Sequence, residues 1–119
     1  MPPQLREHDM KIGNQAFPLD YINCETVMEG ADMCASVLTL NHGQRVPWHS
    51  HSTITDIMVC LEGMVVVEVQ HPPSTHVLRP GERCTVPPMT AHCVHGRDDE
   101  MCRFLIIQGV DEYDNFSVG

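Results

Sequence analysis

No stretch of this sequence stays apolar for the ~18 residues that a membrane-spanning helix requires. The first thirty residues lack the apolar run that heads a secreted precursor. These absences lead to the expectation of a cytoplasmic protein that does not engage a membrane. Basic residues are also scarce, with seven Lys and Arg against sixteen Asp and Glu and a formal charge of −9. Nucleic-acid binders neutralise phosphates with clustered Lys and Arg, and anionic lipid surfaces attract the same residues. Neither partner is expected here. None of the six cysteines forms a CxxC pair, which excludes zinc-ribbon and thioredoxin-type motifs. Without an export signal they read as reduced thiols, mostly small buried hydrophobes. A helical apolar period is missing as well, and nine prolines in 119 residues would interrupt most helices.

What remains is a globular composition, 42% hydrophobic and 19% charged, in a chain long enough for one core. The acids crowd residues 1–32 and 98–119, whereas the middle is balanced. Short apolar or alternating runs recur about every ten residues, the spacing of strands. They fall at Met33–Leu40, Val46–His51, Thr55–Leu61, Met64–Gln70, His76–Arg79, Arg83–Val86, His92–His95 and Met101–Gln108. Gly, Pro, Asn and Asp punctuate them. The expected fold is therefore all-β, an antiparallel sandwich or small barrel. Residues 33–109 would form its body, 1–32 would cover it or add an edge strand, and 110–119 would be a tail. Alternation sorts the faces: Asp56, Met58 and Cys60 share one side of their strand, as Val65, Val67 and Val69 do on theirs.

Histidine is plentiful, at eight residues. His49 and His51 are two apart in an extended run, so both point to the same side and can grip one ion. His92 opens a later strand after a proline turn, and Asp56 begins the strand after His51. Imidazole suits zinc, iron, nickel, copper and manganese, and an added carboxylate favours the harder ions. His95 is sent to the opposite face by alternation, while His8, His42, His71 and His76 sit in or beside turns. Trp48 faces away from the pair. Arg45, Arg79, Arg83 and Arg103 read as surface residues, with partnership to a carboxylate as the other reading.

The segment Gly43-x5-His49-x-His51-x4-Asp56-x6-Gly63 resembles the first motif of the cupins, and Gly81-x5-Pro87-x4-His92-x3-Gly96 resembles the second. The resemblance runs from about residue 33 to 109. Three positions depart from it. Asp56 stands where the family has Glu, Met89 where the Pro-x-Gly element ends in Gly, and Gly96 where the family has Asn. The resemblance implies a small antiparallel jelly-roll β-barrel, a homodimer, and a divalent transition ion (Zn, Fe, Ni or Mn) held by His49, His51, His92 and Asp56. Asp56 has several open readings: a ligand, a partner that orients a ligand imidazole, a catalytic acid/base, or a structural residue. Three imidazoles and one carboxylate leave open positions on a six-coordinate ion, as a catalytic metal requires. The functional expectation is a metal-dependent enzyme acting on a small oxygen-rich organic molecule, of dioxygenase, lyase, isomerase or decarboxylase type. The alternative is a non-catalytic cupin that binds or senses a sugar or metabolite.

Overall fold

The computed structural model describes residues 22–118, together with the backbone of two short paired strands, β1 (Lys11–Ile12) and β2 (Gln15–Ala16). His8 lies outside the described residues. Ten further strands follow: β3 (Asn23–Glu29), β4 (Met33–Leu40), β5 (Arg45–Ser50), β6 (Thr55–Glu62), β7 (Val65–Val69), β8 (Ser74–Leu78), β9 (Arg83–Val86), β10 (His92–Gly96), β11 (Cys102–Gly109) and β12 (Phe116–Ser117). They form two five-stranded antiparallel sheets, in the orders β12-β5-β10-β7-β8 and β3-β4-β11-β6-β9. The sheets face each other as a jelly roll and are not closed into a barrel by hydrogen bonds.

Period-two alternation explains the packing. Leu38 and Leu40 of β4, Met58 and Cys60 of β6, Val65 and Val67 of β7, and Phe104 of β11 all turn inward and are almost fully buried. The face expected to carry Asp56, Met58 and Cys60 is thus the buried one, where Met58 and Cys60 are core packing. All six cysteines are free thiols, and only Cys34 is partly exposed. Among the described residues, no helix is long and apolar enough to cross a membrane.

Two glycines of the motifs have steric reasons. Gly63 turns β6 into β7 at φ +73°, and a Cβ there would sit 2.5 Å from the Met101 carbonyl oxygen. Gly96, where the resemblance calls for Asn, leaves no room for any side chain, because a Cβ would fall 1.8 Å from the Glu100 carbonyl oxygen. The turn at Arg97–Asp99 folds back against it. Met89, which replaces the other family Gly, keeps the left-handed backbone at φ +61°, and its N–H donates to the His51 carbonyl at 2.7 Å. The turn keeps its shape with a residue that fits it less well.

Candidate metal centre

Two sheets supply the site. His49 on β5 lies directly across from His92 on β10 in the antiparallel register. Their ring centroids are 4.1 Å apart. His51 follows β5, and Asp56 projects from β6 in the opposing sheet. His49, His51, Asp56 and His92 are all buried, and each offers one ligating atom within 4.8 Å of the others. The four residues that the motifs single out are therefore brought together.

Each imidazole is anchored through Nδ1. His49 Nδ1 lies 2.7 Å from the Pro47 carbonyl, His51 Nδ1 2.6 Å from that of Asp114, and His92 Nδ1 2.9 Å from that of Thr90. A carbonyl oxygen only accepts, so each Nδ1 carries the hydrogen. In the neutral ring Nε2 is then the bare lone pair. Nε2 of His51 and of His92 lie 3.0 and 2.8 Å from the same oxygen, Asp56 Oδ2. Lone pairs facing a carboxylate at that distance need a positive charge between them, either a proton on the ring or a cation. Two ligands at right angles on an ion with bonds of about 2.1 Å stand about 3.0 Å apart. The donor set thus fits a transition ion in both chemistry and spacing.

Burial alone would raise the pKa of Asp56, but hydrogen bonds from His51 and His92 outweigh it and hold the carboxyl well below its usual range. Burial alone would lower His51, yet the hydrogen bond to Asp56 and its charge carry the ring above its ordinary value. His49 has no carboxylate of its own. Burial, and then the nearby His92, push it down to about 3, so the ring is neutral and able to coordinate.

Four further residues surround the cluster without having been singled out in the sequence. Gln108 Nε2 donates to Asp56 Oδ1 at 3.2 Å, which leaves Oδ2 for the centre. The Tyr113 ring lies 5.3 Å from that of His51. Asn115 Nδ2 donates to the Tyr113 hydroxyl at 3.0 Å, and Asp114 gives the carbonyl that holds His51. Gln108 was within reach of the alternation, being the polar member of the inward series Cys102, Phe104, Ile106, Gln108 in β11. The other three lie in the tail, where no motif points to them.

The remaining candidates fall elsewhere. His95 faces out from the cluster and pairs with Glu68 at 2.6 Å. His42, His71 and His76 are exposed. Trp48 is half-buried beside Val69 and Gln70, away from the centre. Arg45, Arg79, Arg83 and Arg103 are exposed, Arg45 near Asp99 and Arg103 near Glu62.

No curated protein matches the chain. Solved structures do. One is KdgF from Halomonas sp., 19% identical, with a TM-score of 0.67 over 77% of this chain and 82% of that one. A conserved protein of unknown function from Streptococcus pyogenes is 20% identical, with a TM-score of 0.66 over 78% of this chain and 77% of its own. The oxalate decarboxylase of Lactobacillus farciminis, solved with formate, is 16% identical with a TM-score of 0.70. That match covers 83% of this chain but only 32% of the longer decarboxylase. Identities this low carry the fold alone. Residues 36–108 match the family described as cupin domain, which is more than half of the sequence, and the chain belongs to the cupin family.

Proposed function

We propose that the protein holds one divalent transition ion through His49, His51, His92 and Asp56 and uses it as an enzyme on a small oxygen-rich organic molecule. The observation that carries this reading is the anchoring of all three imidazoles through Nδ1, which leaves each Nε2 as the free lone pair, two of them on one buried carboxylate oxygen. When bound, such an ion would polarise a coordinated oxygen as a Lewis acid, or support redox chemistry if it is iron. The chain's own residues do the rest. The backbone carbonyls fix ring tautomer and orientation. Asp56 supplies negative charge, and its nearness to two imidazole nitrogens supports a ligand role over that of a distant acid/base. Gln108 restrains the carboxylate, and Tyr113 covers His51. The buried surroundings limit water access and strengthen the electrostatics.

The jelly roll leaves β3 at a sheet edge, with Val27 and Met28 exposed on it. Unpaired edges invite association, and this supports a homodimer as the working form. The core reading is tested by replacing His49 and His51 together with Ala and measuring metal content by elemental analysis. The expected result is loss of a stoichiometric ion from a protein that remains folded by circular dichroism. A folded double variant that retains one ion per chain would place the metal elsewhere.

A further inference from the structure

The segment after β11 runs back along the strand that carries two of the proposed ligands. In β12, Phe116 and Ser117 pair with Ser50 and His49, and the Val118 N–H donates to the Trp48 carbonyl at 3.1 Å. Just before β12, Asp114 makes three bonds to two consecutive residues. Its carbonyl accepts from His51 Nδ1 at 2.6 Å. Its carboxylate forks over Ser52, taking the backbone N–H on Oδ1 at 2.9 Å and the hydroxyl on Oδ2. The flanking residues reach a second proposed ligand. The Tyr113 hydroxyl is hydrogen-bonded to Asn115 and to Gln108, and Gln108 holds Asp56 Oδ1.

Little apolar burial holds this segment down. Of residues 110–118 only Asn115 is fully buried, and Val110, Tyr113 and Phe116 are exposed. Its attachment rests on hydrogen bonds, each of which nets little stability alone. Segments of that kind open locally at low cost while the core stays closed. The fork on Ser52 gives such an opening a consequence at the centre. With the carboxylate seated, residue 114 is fixed and its carbonyl is aimed at the His51 ring. Once the fork is lost, His51 loses the acceptor that sets its tautomer and leaves Nε2 bare.

We infer that Asp114 is a positioning residue of the proposed centre: by gripping Ser52 with its carboxylate it aims its carbonyl at His51, so that seating of segment 111–118 and retention of the ion favour one another. The inference rests on the metal-site reading and adds a coupling to it. Coupling of this kind is reciprocal. Whatever the seated segment adds to ion affinity, the ion returns as protection of the segment.

Two measurements on the full chain test it, with cobalt(II) as the ion. Hydrogen exchange followed by mass spectrometry compares wild-type protein before and after loading. Protection over residues 111–118 should rise at least about fivefold. The edge strand β3, which pairs only with β4, is the control and should change little. Competition against a chelator then gives cobalt affinity. Ser52→Ala and Asp114→Ala should each lose about tenfold, the lower end for a group that orients a ligand. Asp114→Asn, whose amide oxygen still accepts from the Ser52 N–H, should stay within about threefold of wild type. Unchanged protection of 111–118 on loading would overturn the inference. So would wild-type cobalt affinity in both alanine variants; if these only melt earlier without the ion, the role is one of stability alone. An Asp114→Asn variant as weak as Asp114→Ala overturns it too. If cobalt binds at one per chain and any of these results goes against the inference, the metal centre stands and the coupling falls. If cobalt does not bind the wild type, both fall together.

Discussion

Asp56→Asn is the substitution that separates the roles open to this carboxyl. The side chain is fully buried, with Oδ2 at 2.8 and 3.0 Å from two imidazole nitrogens and Oδ1 accepting from Gln108. Asn keeps the shape and removes the charge. Its amide can still accept from Gln108 through Oδ1 and donate to one bare Nε2, so the fold should survive. Groups that only orient a ligand cost 10–100-fold in metal affinity when lost. A directly coordinating oxygen should cost at least about tenfold, ~1.4 kcal/mol. The assay is competition against a chelator of known affinity, with circular dichroism confirming the fold. A fall in affinity supports the ligand role. Unchanged affinity with turnover of an identified substrate reduced by about 10²–10⁴ would assign Asp56 to proton transfer instead. Unchanged affinity and unchanged turnover would refute the reasoning and remove Asp56 from the site.

Three other expectations follow from the structure. Met89→Gly should stabilise the protein by about 1 kcal/mol, because the position is left-handed and the lost side chain is 77% exposed; a lower melting temperature than wild type would contradict this. Cys34 should be the one thiol that reacts quickly with a disulfide reagent in the native protein, since the other five are buried. Burial, helped by the neighbouring Cys60, pushes the Cys102 thiol up to about 11, so Cys102 should stay protonated and unreactive at pH 8 until denaturant is added; rapid native labelling of several thiols would show that the core opens easily. Sedimentation at micromolar concentration should give twice 13.4 kDa, and a monomer would remove the dimer from the proposal.

Much of the fold could be read from the chain because turns and alternation agree. Met33–Leu40 and Arg83–Val86 coincide with β4 and β9, and the other expected runs differ from their strands by a few residues at the ends. Asn23–Glu29 carries no clear strand signal, for a physical reason. As an edge strand it buries only Cys24 fully and exposes most of its length, so its sequence carries little pattern. Phe116–Ser117 is too short to have a period, and its strand character comes entirely from pairing with Ser50 and His49. Gly96 shows the opposite case, where a departure from the family pattern becomes intelligible only when the Glu100 carbonyl is seen occupying the space of a side chain.

The metal cluster divides along the same line. His49 and His92 each bond the carbonyl two residues earlier in their own chain, Pro47 and Thr90. Their orientation is thus a local property of an extended segment, and the spacing that identifies them also sets their direction. His51 differs, because its Nδ1 donates to the Asp114 carbonyl, sixty-three residues away. Ser52 strengthens that contact by donating its backbone N–H to the Asp114 carboxylate at 2.9 Å and its hydroxyl to the same group. A backbone carbonyl has no sequence signature, and Asp114 lies outside the residues that match the family. The same tail brings Tyr113 against His51 and Asn115 behind it. The family motif therefore supplies the proposed ligands, while the segment after β11 fixes one of them. The proposed ligands are accordingly legible in the motif, whereas the carbonyl of Asp114 that holds one of them is not.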